Sequence, residues 1–237
     1  ILKQPFTNTL GTSNYRAGEN AGDALASGGN ENVLVGDEAG TALTTGDDNV
    51  AIGYRALSTE DTGTRSVAIG HDALRVQNND AANYNVAVGF GSGEAVTTGQ
   101  YNTFVGALSG DALTTSSSNT ALGYESLTAL TTGNSNVAIG YRALKTDTLG
   151  DRNVAVGNEA LATQNFSTTT DSYNTAVGYQ AGNDITTGVN NTIIGGLAGD
   201  ALTTGVENTA IGLAALGSET GGNYNVAVGK STLVAQN

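Results

Sequence analysis

His71 is the only histidine in the chain, and there is no cysteine. These two side chains supply most general bases, nucleophiles and soft metal ligands that work near neutral pH. No spacing in the chain assembles a serine, a histidine and a carboxylate into a nucleophilic set. Asp47-Asp48 and the scattered acids do not follow the Gly-Gly-x-Gly-x-Asp spacing of a calcium-binding ladder. The acids form no column of the kind that lines a polysaccharide-cleaving solenoid. There is no Walker loop, and the glycines recur too evenly for a phosphate cradle. Asn165-Phe166-Ser167 and Asn190-Asn191-Thr192 match the N-glycosylation acceptor, a triplet that arises by chance in a chain this rich in Asn, Ser and Thr. The residues therefore predict no catalytic, cofactor-binding or metal site, and a protein that is not an enzyme.

Charge narrows the partners. The net charge is −13 with nine basic residues, which argues against nucleic acid and anionic membrane surfaces, since both need clustered Lys and Arg. No apolar run approaches the ~18 residues of a membrane span. The acids read as solvated turn residues that keep a long rod in solution. The chain starts at Ile1 without Met, and reads as a piece of a longer fibre.

What positions every side chain is a repeat. A glycine recurs at Gly18, Gly36, Gly53, Gly70, Gly89, Gly106, Gly123, Gly140, Gly157, Gly178, Gly195, Gly212 and Gly229. The usual step is 17 residues; the exceptions are 18 (Gly18 to Gly36), 19 (Gly70 to Gly89) and 21 (Gly157 to Gly178). A near-constant step over a whole chain marks stacked coils, each resting mainly on its neighbours.

With that glycine as position 0, position −4 is Asn in twelve of the thirteen copies, Ser66 being the exception. Position −3 is Val or Thr and position −1 Val, Ile or Leu in twelve copies each. Position −2 carries a column of alanines: Ala51, Ala68, Ala87, Ala121, Ala138, Ala155, Ala176, Ala210 and Ala227. Three residues of this kind bounded by Asn and Gly read as a very short strand between turns. No stretch holds a helical period without a glycine. The predicted fold is an all-β solenoid of about thirteen coils of ~17 residues, over 14–237, stacked at ~4.8 Å. Residues 1–13, with the only proline at Pro5, read as an N-terminal cap or junction.

Successive strand residues face opposite ways. The Val/Ile positions, among them Val33, Val35, Val50, Ile52, Val67, Ile69, Val137, Ile139, Val154 and Val156, are expected to form two interior columns. The alanine face would then meet a second layer or another chain. Asn at −4 suits a stacked turn and an amide ladder, and Gly at 0 suits a corner.

The other half of the coil centres on Leu-Thr-Thr-Gly, as in Leu43–Gly46, Leu130–Gly133 and Leu202–Gly205, read as a second strand and its turn. Positions +4 and +7 trade. Gly at +4 goes with an apolar +7 (Gly40 with Leu43, Gly110 with Leu113), and Leu at +4 with a polar +7 (Leu57 with Glu60, Leu144 with Asp147). Only the Gly123 coil has two leucines, Leu127 and Leu130. Both positions are expected to fill one slot by two backbone routes, with a four-coil super-repeat. The extra residues of Arg75 to Asn83 and Ala162 to Tyr173 map to outward polar loops.

The Asn-x-Ala-Ile/Val-Gly-x-x-Ala core, plainest at Asn49–Ala56, Asn136–Ala143 and Asn225–Gly229, resembles the head repeats of trimeric autotransporter adhesins and the repeats of bacteriophage-type tail-fibre proteins. The adhesin resemblance implies a left-handed β-roll wound into a homotrimer and displayed outside the cell. The coils here are longer than that family's, and Leu-Thr-Thr-Gly is not part of its pattern.

Three functions compete. The leading expectation is a non-enzymatic structural module of an extracellular, cell-surface or virion fibre, with the chain itself as partner in a homotrimer or end-to-end filament. An adhesive module would use the polar loops after Leu74 and Leu161 against a receptor or glycan. An ice-binding solenoid would use the threonine pairs Thr44-Thr45, Thr97-Thr98, Thr114-Thr115, Thr131-Thr132, Thr186-Thr187 and Thr203-Thr204, of which only one member each can join a flat array.

Overall fold

The computed structural model describes residues 11–234. Most of the cap assigned to residues 1–13 lies outside that range. The three described residues of it already follow the repeat, with Glu31 N–H donating to the Thr12 carbonyl at 3.0 Å. The chain forms two compact units, one ending at Ser118 and one beginning at Asn119.

In the first unit the strands are β1 (Tyr15–Ala17), β2 (Val33–Val35), β3 (Val50–Ile52), β4 (Val67–Ile69), β5 (Val86–Val88) and β6 (Thr103–Val105). In the second they are β7 (Thr120–Leu122), β8 (Val137–Ile139), β9 (Gly150–Asp151), β10 (Val154–Val156), β11 (Thr170–Asp171), β12 (Thr175–Val177), β13 (Thr192–Ile194), β14 (Thr209–Ile211) and β15 (Val226–Val228). Within each unit every three-residue strand pairs in parallel with the next, in register, as Val50–Val67, Ala51–Ala68 and Ile52–Ile69 do. The described residues contain no helix. The architecture is a β-solenoid of about thirteen turns, as the glycine step predicts.

Each coil has one three-residue strand, and only the coils holding β9 and β11 add a second, two-residue one. The Leu-Thr-Thr-Gly segments run through turns and bends. Positive φ explains why. In every coil, positions −5, +2 and +4 are left-handed, for example Asp48 (φ 59°), Arg55 (φ 52°) and Leu57 (φ 53°). Three such reversals plus the corner glycine leave room for only one short extended run. The backbone groups still pair from coil to coil, Thr44 N–H with the Asp61 carbonyl at 2.7 Å and Thr186 N–H with that of Thr203 at 2.9 Å. At the corner, Gly53 has φ 130°, and a Cβ there would lie 2.5 Å from the Gly70 carbonyl oxygen. Only glycine fits both the conformation and the approach.

The interior is the reverse of the expected one. Ala51, Ala68, Ala138, Ala155 and Ala210 have no exposure at all, while the flanking Val and Ile side chains are half-buried or exposed. The coil is too narrow for two branched residues per strand, so the small residue faces in and the β-branched pair faces out.

Where position −2 is a larger apolar residue, the reason is volume. Leu34, Phe104 and Ile193 are all fully buried. Each lies over two glycines at +4: Leu34 over Gly22 and Gly40, Phe104 over Gly93 and Gly110, and Ile193 over Gly182 and Gly199, with added Cβ atoms 2.5–3.2 Å from their side chains. In the leucine coils +4 fills that space itself, and −2 is alanine. Gly40 (φ 54°) and Leu57 (φ 53°) share one backbone conformation, so the two coil types follow one route and differ only in which side chain fills the interior.

The asparagines at −4 form the expected ladder. Asn153 Oδ1 accepts from Asn174 N–H, and Asn136 Oδ1 accepts from Asn153 N–H (2.9 Å) and Nδ2 (3.1 Å). Most Nδ2 groups also hold a backbone carbonyl across the coil, as Asn136 does with Gly150 at 2.9 Å and Asn102 with Ser116 at 2.9 Å. These amides are buried and satisfied, as the cost of an unpaired buried polar group requires.

Features 87–89 residues apart repeat across coils of the two units. Leu57, Glu60 and Gln77 correspond to Leu144, Asp147 and Gln164, and Tyr84 and Phe104 to Tyr173 and Ile193. The underlying super-repeat is therefore five coils, not four. Each copy carries one insertion, which returns to the sheet side through the Thr64–Ala82 bridge in one unit and the β9–β11 pair in the other.

Candidate functional surface

Among the described residues no group of three or more metal-ligating side chains converges. His71 stands in the surface column where the sequence places it. Its ring lies between Tyr54 and Phe90, at 5.1 Å from each, and its Nδ1 is 2.9 Å from Asp72 Oδ2. Asp72 also takes Arg55, whose guanidinium covers the Tyr54 ring at 4.9 Å. Glu94 and Asp111 occupy the same position of neighbouring coils, and Glu94 is engaged by Arg75 at 2.8 Å. This is an ion-paired, stacked surface.

Two aromatic columns flank the strands, at −5 and +1. Tyr84 and Tyr101 stack at 5.6 Å and 11°, Tyr124 and Tyr141 at 5.9 Å and 14°. Arginines cover other ring faces: Arg65 on Tyr84, Arg152 on Tyr173 and Arg142 on Tyr141. The stacking spends these ring faces on neighbouring side chains, while Tyr84, Tyr101, Tyr124 and Tyr141 stay exposed. The Tyr124 hydroxyl and then the Arg142 guanidinium hold the Glu125 carboxyl below the usual range.

Between the columns runs the outward face of the strands. It carries Val or Thr at −3 and Val, Ile or Leu at −1, without one charged residue in either unit. Leu122 (44%), Ile194 (39%) and Ile211 (37%) are exposed on it. In each unit this makes a charge-free strip of half-buried and exposed side chains, and an uncharged apolar strip of this kind is uncommon on a monomer and marks an interaction surface.

In the threonine pairs the first residue is half-buried and its hydroxyl bonds the neighbouring coil. Thr44 Oγ1 bonds the Asp61 carbonyl at 2.9 Å and Thr203 Oγ1 that of Thr220 at 2.7 Å. The second residue, as at Thr45, Thr132 and Thr204, is exposed. The insertions are outward only in part: Asn78, Asp80 and Ser167–Thr169 are exposed, but Gln77, Asn83, Gln164, Phe166 and Ser172 are buried.

Sequence reasoning missed the interior acids. Glu60 and Asp147 sit at +7, where other coils bury leucine, and both are wholly enclosed. Burial raises the pKa of each, against the hydrogen bonds that favour the ionised form. Gln77 passes a hydrogen bond from Asn85 to Glu60, and Gln164 one from Asn174 to Asp147. The signal available in the sequence was the shared position and the 87-residue spacing of the two acids.

Compared with known proteins, the chain matches no family model, no curated protein and no solved structure.

Proposed function

We propose that the chain is a non-enzymatic structural module of an extracellular, cell-surface or virion fibre, built by self-association into a homotrimer or filament. The observation that carries this reading is the charge-free Val/Thr/Ile ribbon on the outward strand face. In a chain of net charge −13, a surface without charge is the place where copies approach with least repulsion. The earlier expectation placed the alanine column at the shared interface; the buried alanines move that role to the valine and isoleucine columns. The corner glycines, amide ladders and stacked rings support a stiff body. Light scattering tests it: the expected mass is three times the 23.7 kDa chain or a larger multiple. A monodisperse 23.7 kDa species at micromolar concentration overturns self-association.

A second reading, attachment to a receptor or glycan, is favoured by the exposed run Ser167–Thr169 in the longer insertion. Replacing that run with a short glycine-serine link is then expected to abolish attachment while thermal unfolding is unchanged. Attachment that survives the replacement ends this reading.

A further inference from the structure

Glu60 is fully buried and has no cation paired with it among the described residues. Its Oε1 accepts from Gly63 N–H at 2.8 Å and Asn79 N–H at 3.4 Å, and its Oε2 from Gln77 Nε2 at 2.9 Å and Asn83 Nδ2 at 3.1 Å. Every partner is a donor, which suits a carboxylate and leaves a carboxylic acid's O–H with nowhere to go. Asn83 supplies what is missing. Its Oδ1 is buried and has no hydrogen-bond partner. Turned over about its terminal bond, the same amide would present that oxygen to Oε2 in place of Nδ2.

We propose that Glu60 and Asn83 form a proton-operated anchor for the insertion Arg75–Asn83. Ionised, Glu60 accepts from Asn83 Nδ2. Protonated, it donates its O–H to Asn83 Oδ1, and the amide reverses. One proton is taken up, the Nδ2 bonds to Glu60 Oε2 and to the Asn79 carbonyl (3.5 Å) are exchanged for one O–H···O bond, and the insertion is held in two hydrogen-bonding states. The other charged groups here are Asp61, next in the chain, and Asp80 of the insertion, which accepts from Thr62. In the flanking coils Arg65 pairs with Asp48 and Arg75 with Glu94. The equivalent of Asn83 beside Asp147 is Ser172, whose hydroxyl donates to Asn153. Only the first insertion therefore carries the device.

The test is the side-chain amide resonance pair of Asn83 in the full chain, followed by NMR from acid to neutral pH. The pair is expected to shift with a midpoint above the ~4.3 of an ordinary Glu, and the shift is expected to vanish in Glu60→Gln. A pair that does not move, or moves unchanged in Glu60→Gln, overturns the proposal. Asn83→Ser keeps it falsifiable if the first variant does not fold. The Gly63 and Asn79 amides, which bond Glu60 directly, should then still titrate while those of Asp80–Ala82 stop following them. Asp80–Ala82 amides that keep following Gly63 with an unchanged midpoint overturn the proposal as well.

Discussion

The Phe104 ring lies directly against Gly110, so that a Cβ on that glycine would be 2.5 Å from ring atom Cε1. The two positions share one volume, and the trade between them is open to test. Phe104→Ala leaves a cavity and is expected to cost about 3–5 kcal/mol. Gly110→Leu alone overfills the same space. The double variant restores the alanine-plus-leucine pairing of the Gly53 coil, and thermal unfolding should show it well above either single variant. Additive losses would mean that the two side chains do not share the space.

The corner column makes a sharper demand. Gly53→Ala places a Cβ against the Gly70 carbonyl at φ 130°. It is expected to lose at least about 2 kcal/mol, since a strained backbone alone costs on the order of 1–3 kcal/mol. Gly221→Ala, where the nearest atom is Thr204 Oγ1 at 3.5 Å, should be near neutral in the same denaturant series.

The two faces of one strand give opposite outcomes. Ala138→Asp buries an unpaired charge and is expected to exceed about 4 kcal/mol of destabilisation. Ile139→Asp lies on the outward ribbon and should leave the fold of the single chain largely intact, while sedimentation shows loss of self-association. A severe loss of the fold in Ile139→Asp, equal to that of Ala138→Asp, would restore the inward reading of the isoleucine column.

The interior acids set a pH dependence of unexpected sign. Burial raises the folded-state pKa of Glu60 above 4.5 and of Asp147 above 3.8. A raised folded pKa means the folded state holds the proton longer than the unfolded chain does. Their contribution is fully present below those ordinary values and is lost as pH rises through the folded pKa. Asp147→Asn should flatten the fall of melting temperature between mildly acidic and neutral pH relative to wild type. A parallel fall in both proteins would show that Asp147 stays ionised.

The repeat, the absence of helix and the asparagine ladder could all be read from the sequence because each is a matter of spacing. Gly at 0 and Asn at −4 have narrow roles in a stacked turn. Which way the strand faces could not be read from its pattern. Val-Ala-Ile is apolar on both sides, and a period of two does not say which side is in when neither is polar. The deciding signal was lateral: Leu34, Phe104 and Ile193 replace alanine only where +4 is glycine, and that covariation identifies −2 as interior. The candidate surface was less legible still. Glu60 and Asp147 look like surface residues until the coil closes, because polar residues at +7 enter the core only through hydrogen bonds to glutamine and asparagine distant in sequence.

The amide ladder also says how each unit should yield to force. Within a unit, the bonds from Asn136 to Asn119 and from Asn153 to Asn136 point along the stacking direction. A pull along that direction loads them one after another instead of sharing the load among them. Each coil then parts as a separate event and frees about 60 Å of chain, the extended length of its 17 residues at ~3.3–3.6 Å apiece. Stretched from its ends, a unit would behave as a row of equal mechanical fuses, giving up length in even steps and retaining whatever coils have not yet opened.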